Sequence, residues 1–373
     1  MILFLISLVF VLGYALLIMY YYRGWQSLPE FSAGTNPQHR FLSVVVAARN
    51  EQEHIGALLQ ALAQQSYPRD CFEVVVVDDY STDRTARTAQ ESSLPNLVLI
   101  RPHVPAAASS KKRAIEAGVQ QARGELIVTT DADCLPPVHW LQTLNDFYVR
   151  QNACFIAAPV GYSHNQTVLQ IFQALDFLTL QGITAATVAR EAHAMCNGAN
   201  LAYTKQSFSE VEGFKGIDQV ATGDDMLLMH KIWKQNPGRV FYLKSKEAIV
   251  ATAPMPGWKD FFRQRKRWAS KTFVYDDLKI RVVLVFVYAF NCLFFVLLAA
   301  AFFQPLYWWG VGAYLLLKTL VEWPFVSAVA AFFHKQKLMR YFIFLQPLHV
   351  FYTVSIGLLS QLGQYEWKGR KTK

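Results

Sequence analysis

Hydrophobic and polar positions divide the chain into three stretches. Residues 1–22, MILFLISLVFVLGYALLIMYYY, carry no charge and match the roughly 20 residues a helix needs to cross a bilayer. This run has no basic leading region and no small-x-small cleavage site after it, which predicts a retained anchor rather than a cleaved leader. Apolar composition returns near Val282, in segments at 282–303, 306–333 and 341–362. The middle segment is long and carries Lys318, Glu322 and Pro324, so it is expected to bend or break. Between the apolar ends the composition is that of an ordinary soluble domain, long enough to bury a substantial core. The expected organisation is an N-terminal transmembrane helix at 1–23, a soluble domain at 24–280, about three membrane segments at 281–365, and a basic tail at 366–373.

Within the soluble stretch, short apolar runs alternate with helical patterns. Runs 41–48, 72–79, 97–101 and 125–131 read as strands, and 51–65, 80–90 and 110–122 as helices. Strands apolar on both faces, separated by helices, predict an α/β fold with a mostly parallel sheet covered on both sides. Ligands of such sheets bind beyond the carboxyl ends of the strands. Three of the four strands end in chemistry: Arg49-Asn50-Glu51, Asp78-Asp79 and Asp131-Ala132-Asp133.

Composition and charge narrow the reading. The chain is 53% hydrophobic and 17% charged, which points to a membrane protein. Five cysteines show neither pairing nor metal-ligand spacing, so free thiols in a reducing compartment are expected. The net charge of +9 includes clusters at 263-RQRKR-267, 334-HKQKLMR-340 and 368-KGRKTK-373. The last two suit contact with anionic lipid at a membrane surface. No nucleic-acid-binding signature accompanies the charge, and no protein partner is legible. Neither a P-loop nor a glycine-rich dinucleotide fingerprint is present.

Paired carboxylates at a strand end form a hard oxygen site suited to Mg2+ or Mn2+ and the phosphates of a substrate. Together, 42-LSVVVAARNE-51, 74-VVVVDDYSTDRT-85, 111-KKRAIEAG-118, 131-DAD-133, 223-GDDMLL-228 and 264-QRKRW-268 resemble family-2 glycosyltransferases of GT-A fold. The last of these is similar to the QxxRW motif of membrane-embedded members such as cellulose, chitin, hyaluronan and poly-N-acetylglucosamine synthases. The resemblance covers about residues 40–270. It implies a Rossmann-like nucleotide-diphospho-sugar transferase domain using a UDP-sugar and a divalent cation. By position it implies that Glu51, Asp78 and Asp79 lie by the uracil and ribose, and Lys111 near the donor phosphates. Asp131 would face the donor, and Asp133, with Asp131, would bind the metal. Asn197 and Gly198, in 196-CNGAN-200, would line the acceptor pocket. Asp225, or its neighbour Asp224, would be the general base, with Asp224 partly capping the following helix. Gln264 and Arg267 would face the pyrophosphate, and Trp268 would stack on the acceptor. Tyr80 stands where the family has glycine.

The resemblance implies an inverting, membrane-bound enzyme acting on a lipid or glycolipid. Two alternatives stay open at this point: a processive polysaccharide synthase, and a transporter or other membrane protein with a non-catalytic nucleotide-binding domain. The implied location is an integral, multi-pass protein of a bacterial-type cell membrane with the catalytic domain in the cytosol. Four full spans would put 334–340 on the cytosolic side but the basic tail outside, against the positive-inside rule. One C-terminal segment is therefore expected to be re-entrant or interfacial, either 306–333 or the last.

Overall fold

Valine-rich runs with no polar face can only be stable between two covering layers, and they form the centre of the sheet. In a computed structural model, residues 2–34, 38–103, 110–164, 166–192, 195–218, 223–270, 277–360, 365–367 and 370–372 are described. The elements are α1 (Ile2–Ser27), β1 (Leu42–Ala48), α2 (Ile55–Ala63), β2 (Phe72–Asp78), α3 (Thr85–Gln90), β3 (Leu97–Ile100), α4 (Lys111–Gln121), β4 (Leu126–Asp131), β5 (Cys134–Leu135) and α5 (Trp140–Gln151). There follow β6 (Phe155–Ala157), β7 (Val160–Tyr162), α6 (Val168–Ala189), β8 (Leu201–Thr204), α7 (Lys205–Glu210), α8 (Met226–Gln235), β9 (Val240–Tyr242), β10 (Val250–Thr252) and α9 (Trp258–Ala269). The chain continues through α10 (Leu278–Phe303), α11 (Tyr307–Phe332) and α12 (Met339–Ser360) to β11 (Tyr365–Trp367) and β12 (Arg370–Thr372). It folds as two compact units: Leu28–Ser163 with Thr187–Ala253, and Met1–Ser27 with His164–Ala186 and Pro254–Lys373.

The first unit holds a seven-stranded sheet of order β3-β2-β1-β4-β8-β6-β9. β3, β2, β1 and β4 are mutually parallel, while β8 runs antiparallel to β4 and β6. Register aligns Ala48 with Asp78 and Ala47 with Asp131, so two of the acidic strand ends flank the end of β1. Helix α4 packs against the sheet at Gly118, where an added Cβ would lie 2.4 Å from Val45. At the opposite strand ends, buried Glu73 ties three strands together. It accepts from Ser43 Oγ at 2.7 Å and from the Arg123 amide at 2.6 Å, and pairs with Arg123 Nε at 2.8 Å. Burial raises the Glu73 carboxyl pKa, but these donors outweigh burial and hold it below the usual glutamate range.

The second unit is helical. Helices α1 and α11 run side by side in the same direction, with Phe4 on Tyr307, Tyr21 near Phe325 and Trp25 on Phe332. Helix α10 runs opposite to α11, placing Phe290 and Phe294 on Tyr314. Segment 306–333 was expected to bend or break; α11 runs through it without a break, with Pro324 inside the helix. Its charges do not interrupt it because they satisfy one another. Lys318 Nζ lies 2.6 Å from Glu322 Oε1 and 2.7 Å from Gln346 Oε1, and Tyr14 donates to Glu322. A buried ion pair with its hydrogen bonds complete is compatible with an apolar setting.

Among the described residues, five helices are long and apolar enough to cross a membrane: α1, α6, α10, α11 and residues 336–360, which include α12. The sequence reading did not single out α6. It and α9 lie within 24–280, yet both pack with the terminal helices. The backbones of β11 and β12 pair antiparallel within the expected basic tail, whose Lys368, Gly369 and Lys373 lie outside the described residues.

Candidate active site

The β1 and β2 ends meet in a pair of tight turns. Asn50 and Tyr80 both adopt positive φ, 53° and 56°. Side chains of larger residues disfavour that region, which explains why a related family would place glycine at position 80. Tyr80 is held there by its amide on Asp78 O at 2.8 Å and its hydroxyl on Pro102 O at 3.0 Å. Asp78 was expected beside the donor, but its side chain is only 1% exposed and is engaged in the turn. It accepts from the Ser81 amide at 3.1 Å and from Arg101 Nε at 3.0 Å. This carboxylate shapes the turn and presents no open surface. Asp79 is buried, and its carbonyl accepts from Arg49 at 2.8 Å. The Glu51 amide donates to Thr85 Oγ1 at 2.7 Å, and the Glu51 carboxylate meets His54 Nδ1 at 2.9 Å.

The end of β4 holds the second cluster. Asp131 is the last residue of the strand, and β8 lies antiparallel beside it, pairing Thr129 with Leu201. That pairing brings the 196–200 loop, just before β8, against the strand end. Thr130 Oγ1 donates to Ala199 O at 2.9 Å, and Asn197 Oδ1 closes its own turn on the Ala199 amide at 3.0 Å. Helix α4 delivers Lys111 from the other side. Its ammonium lies 2.7 Å from Asp131 Oδ1 and 3.1 Å from Asp224 Oδ2. Burial alone would lower the Lys111 pKa, but these carboxylates outweigh it and hold the amine above the usual ammonium range. A lysine thus shares its charge between Asp131 and Asp224.

Asp225 begins α8. Its Oδ1 accepts from the Met226 amide at 2.8 Å and its Oδ2 from the Gly198 amide at 3.2 Å. The expectation that Asp224 partly caps this helix is therefore corrected: Asp225 carries the cap bond, and Asp224 turns to Lys111. Gly198 sits between them, where an added Cβ would lie 3.3 Å from Lys111 Nζ and 3.4 Å from Asp224 Oδ2. A side chain there would crowd the ion pair, so glycine fits this close approach.

Asp131, Asp133 and Cys134 place one ligand atom each within 4.8 Å of one another. Two carboxylates fit a hard divalent cation. Cys134 is a soft donor, and burial, with both aspartates, pushes its thiol pKa up and keeps it protonated. The donor set therefore fits Mg2+ or Mn2+ through the aspartates.

Gln264, Arg267 and Trp268 all lie on α9, in the helical unit. The buried charge of that helix is Arg265, between the residues the motif singles out. It pairs with Asp176 Oδ2 at 2.7 Å and lies under the Trp268 ring at 4.2 Å. No sequence signal links Asp176 to it. Sequence reasoning also missed Asn200, fully buried, which accepts from Trp140 Nε1 at 2.9 Å and donates to the carbonyls of Pro159 and Ala248 at 2.8 Å. A lone asparagine before a strand carries no sign of those distant partners.

With this geometry in hand, comparisons with known proteins agree on one class. The family model "Glycosyltransferase like family 2" matches residues 37–271. A probable glycosyltransferase, YdaM of Bacillus subtilis (strain 168), is 27% identical over 239 residues, covering 61% of this chain and 54% of that protein. The chain thus spans about half the length of that relative. The β-monoglucosyldiacylglycerol synthase of Synechocystis sp. is 33% identical over 107 residues, 28% of this chain and 22% of that protein. Among solved structures, the mannosyltransferase PcManGT of Pyrobaculum calidifontis, in complex with GDP-Man and Mn2+, aligns with a TM-score of 0.56 and 20% identity. That alignment covers 96% of this chain and all of the other, and it identifies the fold as GT-A. A family model covering more than half of the chain, resting on the strands and turns just described, places this protein in glycosyltransferase-like family 2.

Proposed function

We propose that the chain is an inverting, membrane-bound glycosyltransferase moving a sugar from a UDP-sugar to a hydroxyl of a membrane lipid or glycolipid. The observation that carries this reading is the convergence of Lys111, Asp131, Asp224 and Asp225 at the strand ends, with Asp133 two residues beyond Asp131. The acceptor oxygen bonds to the anomeric carbon while the bond from that carbon to the diphosphate oxygen breaks, and the electron pair leaves with the diphosphate. Asp225 takes the acceptor proton, oriented by the Gly198 and Met226 amides. Asp133 and Asp131 would hold a divalent cation, which when bound would supply positive charge to the departing diphosphate. Lys111 keeps Asp131 and Asp224 in place by sharing its charge between them. Glu51 and Asp79 bind the nucleoside, with Asp78 holding their turn. Gln264 and Arg267 serve the pyrophosphate side, and Trp268 with the 196–200 loop serves the acceptor.

Relatives' names support the acceptor class. One is the diacylglycerol-lipid synthase already named, and another is the 4,4'-diaponeurosporenoate glycosyltransferase of Staphylococcus aureus, 36% identical over 98 residues. Family membership favours an enzyme over the transporter reading. The 264-QRKRW-268 stretch favours a second reading, processive polysaccharide synthesis. Native membranes supplied with labelled UDP-glucose, UDP-N-acetylglucosamine and GDP-mannose separate these. A solvent-extractable single-sugar product from one UDP-sugar is expected. A labelled polymer would favour the synthase, and transfer from GDP-mannose alone would overturn the donor assignment.

A further inference from the structure

We infer that α12 lies along one face of the bilayer without crossing it, so that the strand at 370–372 stays on the same side as the basic loop 334–340. This concerns the helical unit alone and is independent of the transferase reading.

The depth of α12 can be read from its partners. Helices α10 and α11 run antiparallel and share a reference level where Tyr314 faces Phe290. Gln346, near the middle of α12, bonds Lys318 and Glu322. These lie about 6 and 12 Å below that level at 1.5 Å per residue. Gly357 lies against the Tyr288 ring, so close that an added Cβ would be 2.2 Å from it. Tyr288 is about 3 Å below the same level. Between Gln346 and Gly357 the α12 axis advances about 16 Å, while its partners change depth by only about 3–9 Å. Helix α12 is therefore steeply inclined to the spanning pair. From Phe342, which packs on Trp323 about 14 Å below that level, to Gly357, α12 climbs only about 11 Å, and the six residues outside that stretch add at most about 9 Å, short of a hydrocarbon core about 30 Å thick.

Two further observations agree. Tyr352 and Ile356 pack into a cluster with Phe261 of α9 and Leu169 and Phe172 of α6. Helix α9 carries Lys259, Asp260, Arg263, Lys266 and Arg267 and cannot sit in hydrocarbon. The outward side of α12 is an apolar stripe of Ile343, Phe344, Phe351, Leu358 and Leu359, all exposed. Their spacing keeps them on one side of the helix, as immersion in one leaflet requires.

The partner of this stripe is the lipid leaflet, and charge says which one. The α1–α11 and α10–α11 pairings put Ser27, Leu278 and Phe332 at one face and Phe303 and Tyr307 at the other. The 304–306 link at the second face, QPL, has no charge, while Lys279, Arg281, Lys335, Lys337 and Arg340 all lie toward the first. A crossing α12 would put Arg370 and Lys371 at the wrong face. An in-plane α12 keeps every basic cluster on one side, as the positive-inside rule requires.

The test uses full-length protein with its native cysteines replaced and single cysteines introduced at Gln304, Lys337 or Thr372. Each is exposed to a membrane-impermeant maleimide in intact cells and after permeabilisation. Thr372→Cys is expected to follow Lys337→Cys, with Gln304→Cys giving the opposite pattern. Labelling of Thr372→Cys together with Gln304→Cys would overturn the inference. A second reading uses a fluorophore on Phe351→Cys in vesicles carrying nitroxide lipids. Quenching by nitroxides near the headgroup at least twofold stronger than by those at the tail end is expected, whereas stronger tail-end quenching would mean a full span.

Discussion

The sheet unit and the helical unit handle charge in opposite ways. At the ends of β1, β2 and β4, Asp78 and Asp79 are buried in their turn, while Asp131 and Lys111 at the end of β4 keep 36% and 23% of their side chains exposed. In the helical unit, Lys318, Glu322, Asp176 and Arg265 are buried, and each has an ionic partner inside the unit. The first arrangement keeps part of its charge open, as the proposed cation and substrate site requires. The second uses its charges on itself and fixes helix against helix. The same residue types thus stay partly open in one unit, where we propose the chemistry, and fasten helices in the other, and burial with pairing separates the two.

The largest expected effect tests the chemical side of this contrast. Asp133→Ala should abolish transfer with any divalent ion, because the role we propose for this carboxylate is to hold the cation. Activity titrated with Mg2+ and Mn2+, beside a melting curve, checks it. Full turnover in the variant, or in excess chelator, would contradict the metal role.

The helical side is expected to show the reverse pattern. Lys318→Met leaves Glu322 buried without its ion partner and should destabilise the protein by about 3–5 kcal/mol. Lys318→Met with Glu322→Met should restore most of that loss, since an apolar pair suits this setting. Thermal unfolding in detergent compares them. A double variant as unstable as the single one would mean that the pair is more than a fastening.

A smaller effect is expected at the opposite ends of the strands. Glu73→Gln should cost about 1–3 kcal/mol, the scale of a buried hydrogen bond to a charged group. Because the folded Glu73 pKa is depressed, its contribution is present above the unfolded value and disappears as pH falls through the lower folded value. The difference between wild type and Glu73→Gln should therefore be full at pH 6 and shrink below about 4.3, the ordinary glutamate value. Chemical unfolding at several pH values measures it, and a difference independent of pH would remove the charge from the explanation.

How much of this the sequence carried depends on how local each signal is. Strands β1, β2 and β4 were legible because a buried parallel strand writes itself as a run of Val, Leu and Ile, and their acidic ends mark where the runs stop. Asp131 and Asp133 were legible as a pair for the same reason. That Asp225 caps α8 while Asp224 turns to Lys111 was not, because it depends on Lys111 and Gly198, far away in the chain. The continuity of α11 through Lys318, Glu322 and Pro324 was hidden likewise, since Gln346 and Tyr14 complete its hydrogen bonds from other helices. Arg265 and Asp176 are separated by most of a domain and meet only in the fold.

The central claim is that the acidic strand ends form a transferase site in which Asp225 takes the acceptor proton. Asp225→Asn tests it most directly, because asparagine is as good a helix cap as aspartate and the start of α8 should survive. Turnover at saturating donor and donor affinity are measured separately, for this variant and for Asp224→Asn. Turnover of Asp225→Asn is expected to fall by about 10²–10⁴, with donor affinity near that of the wild type. An active Asp225→Asn enzyme beside a dead Asp224→Asn would move the base by one residue, and two active variants would contradict the site described here.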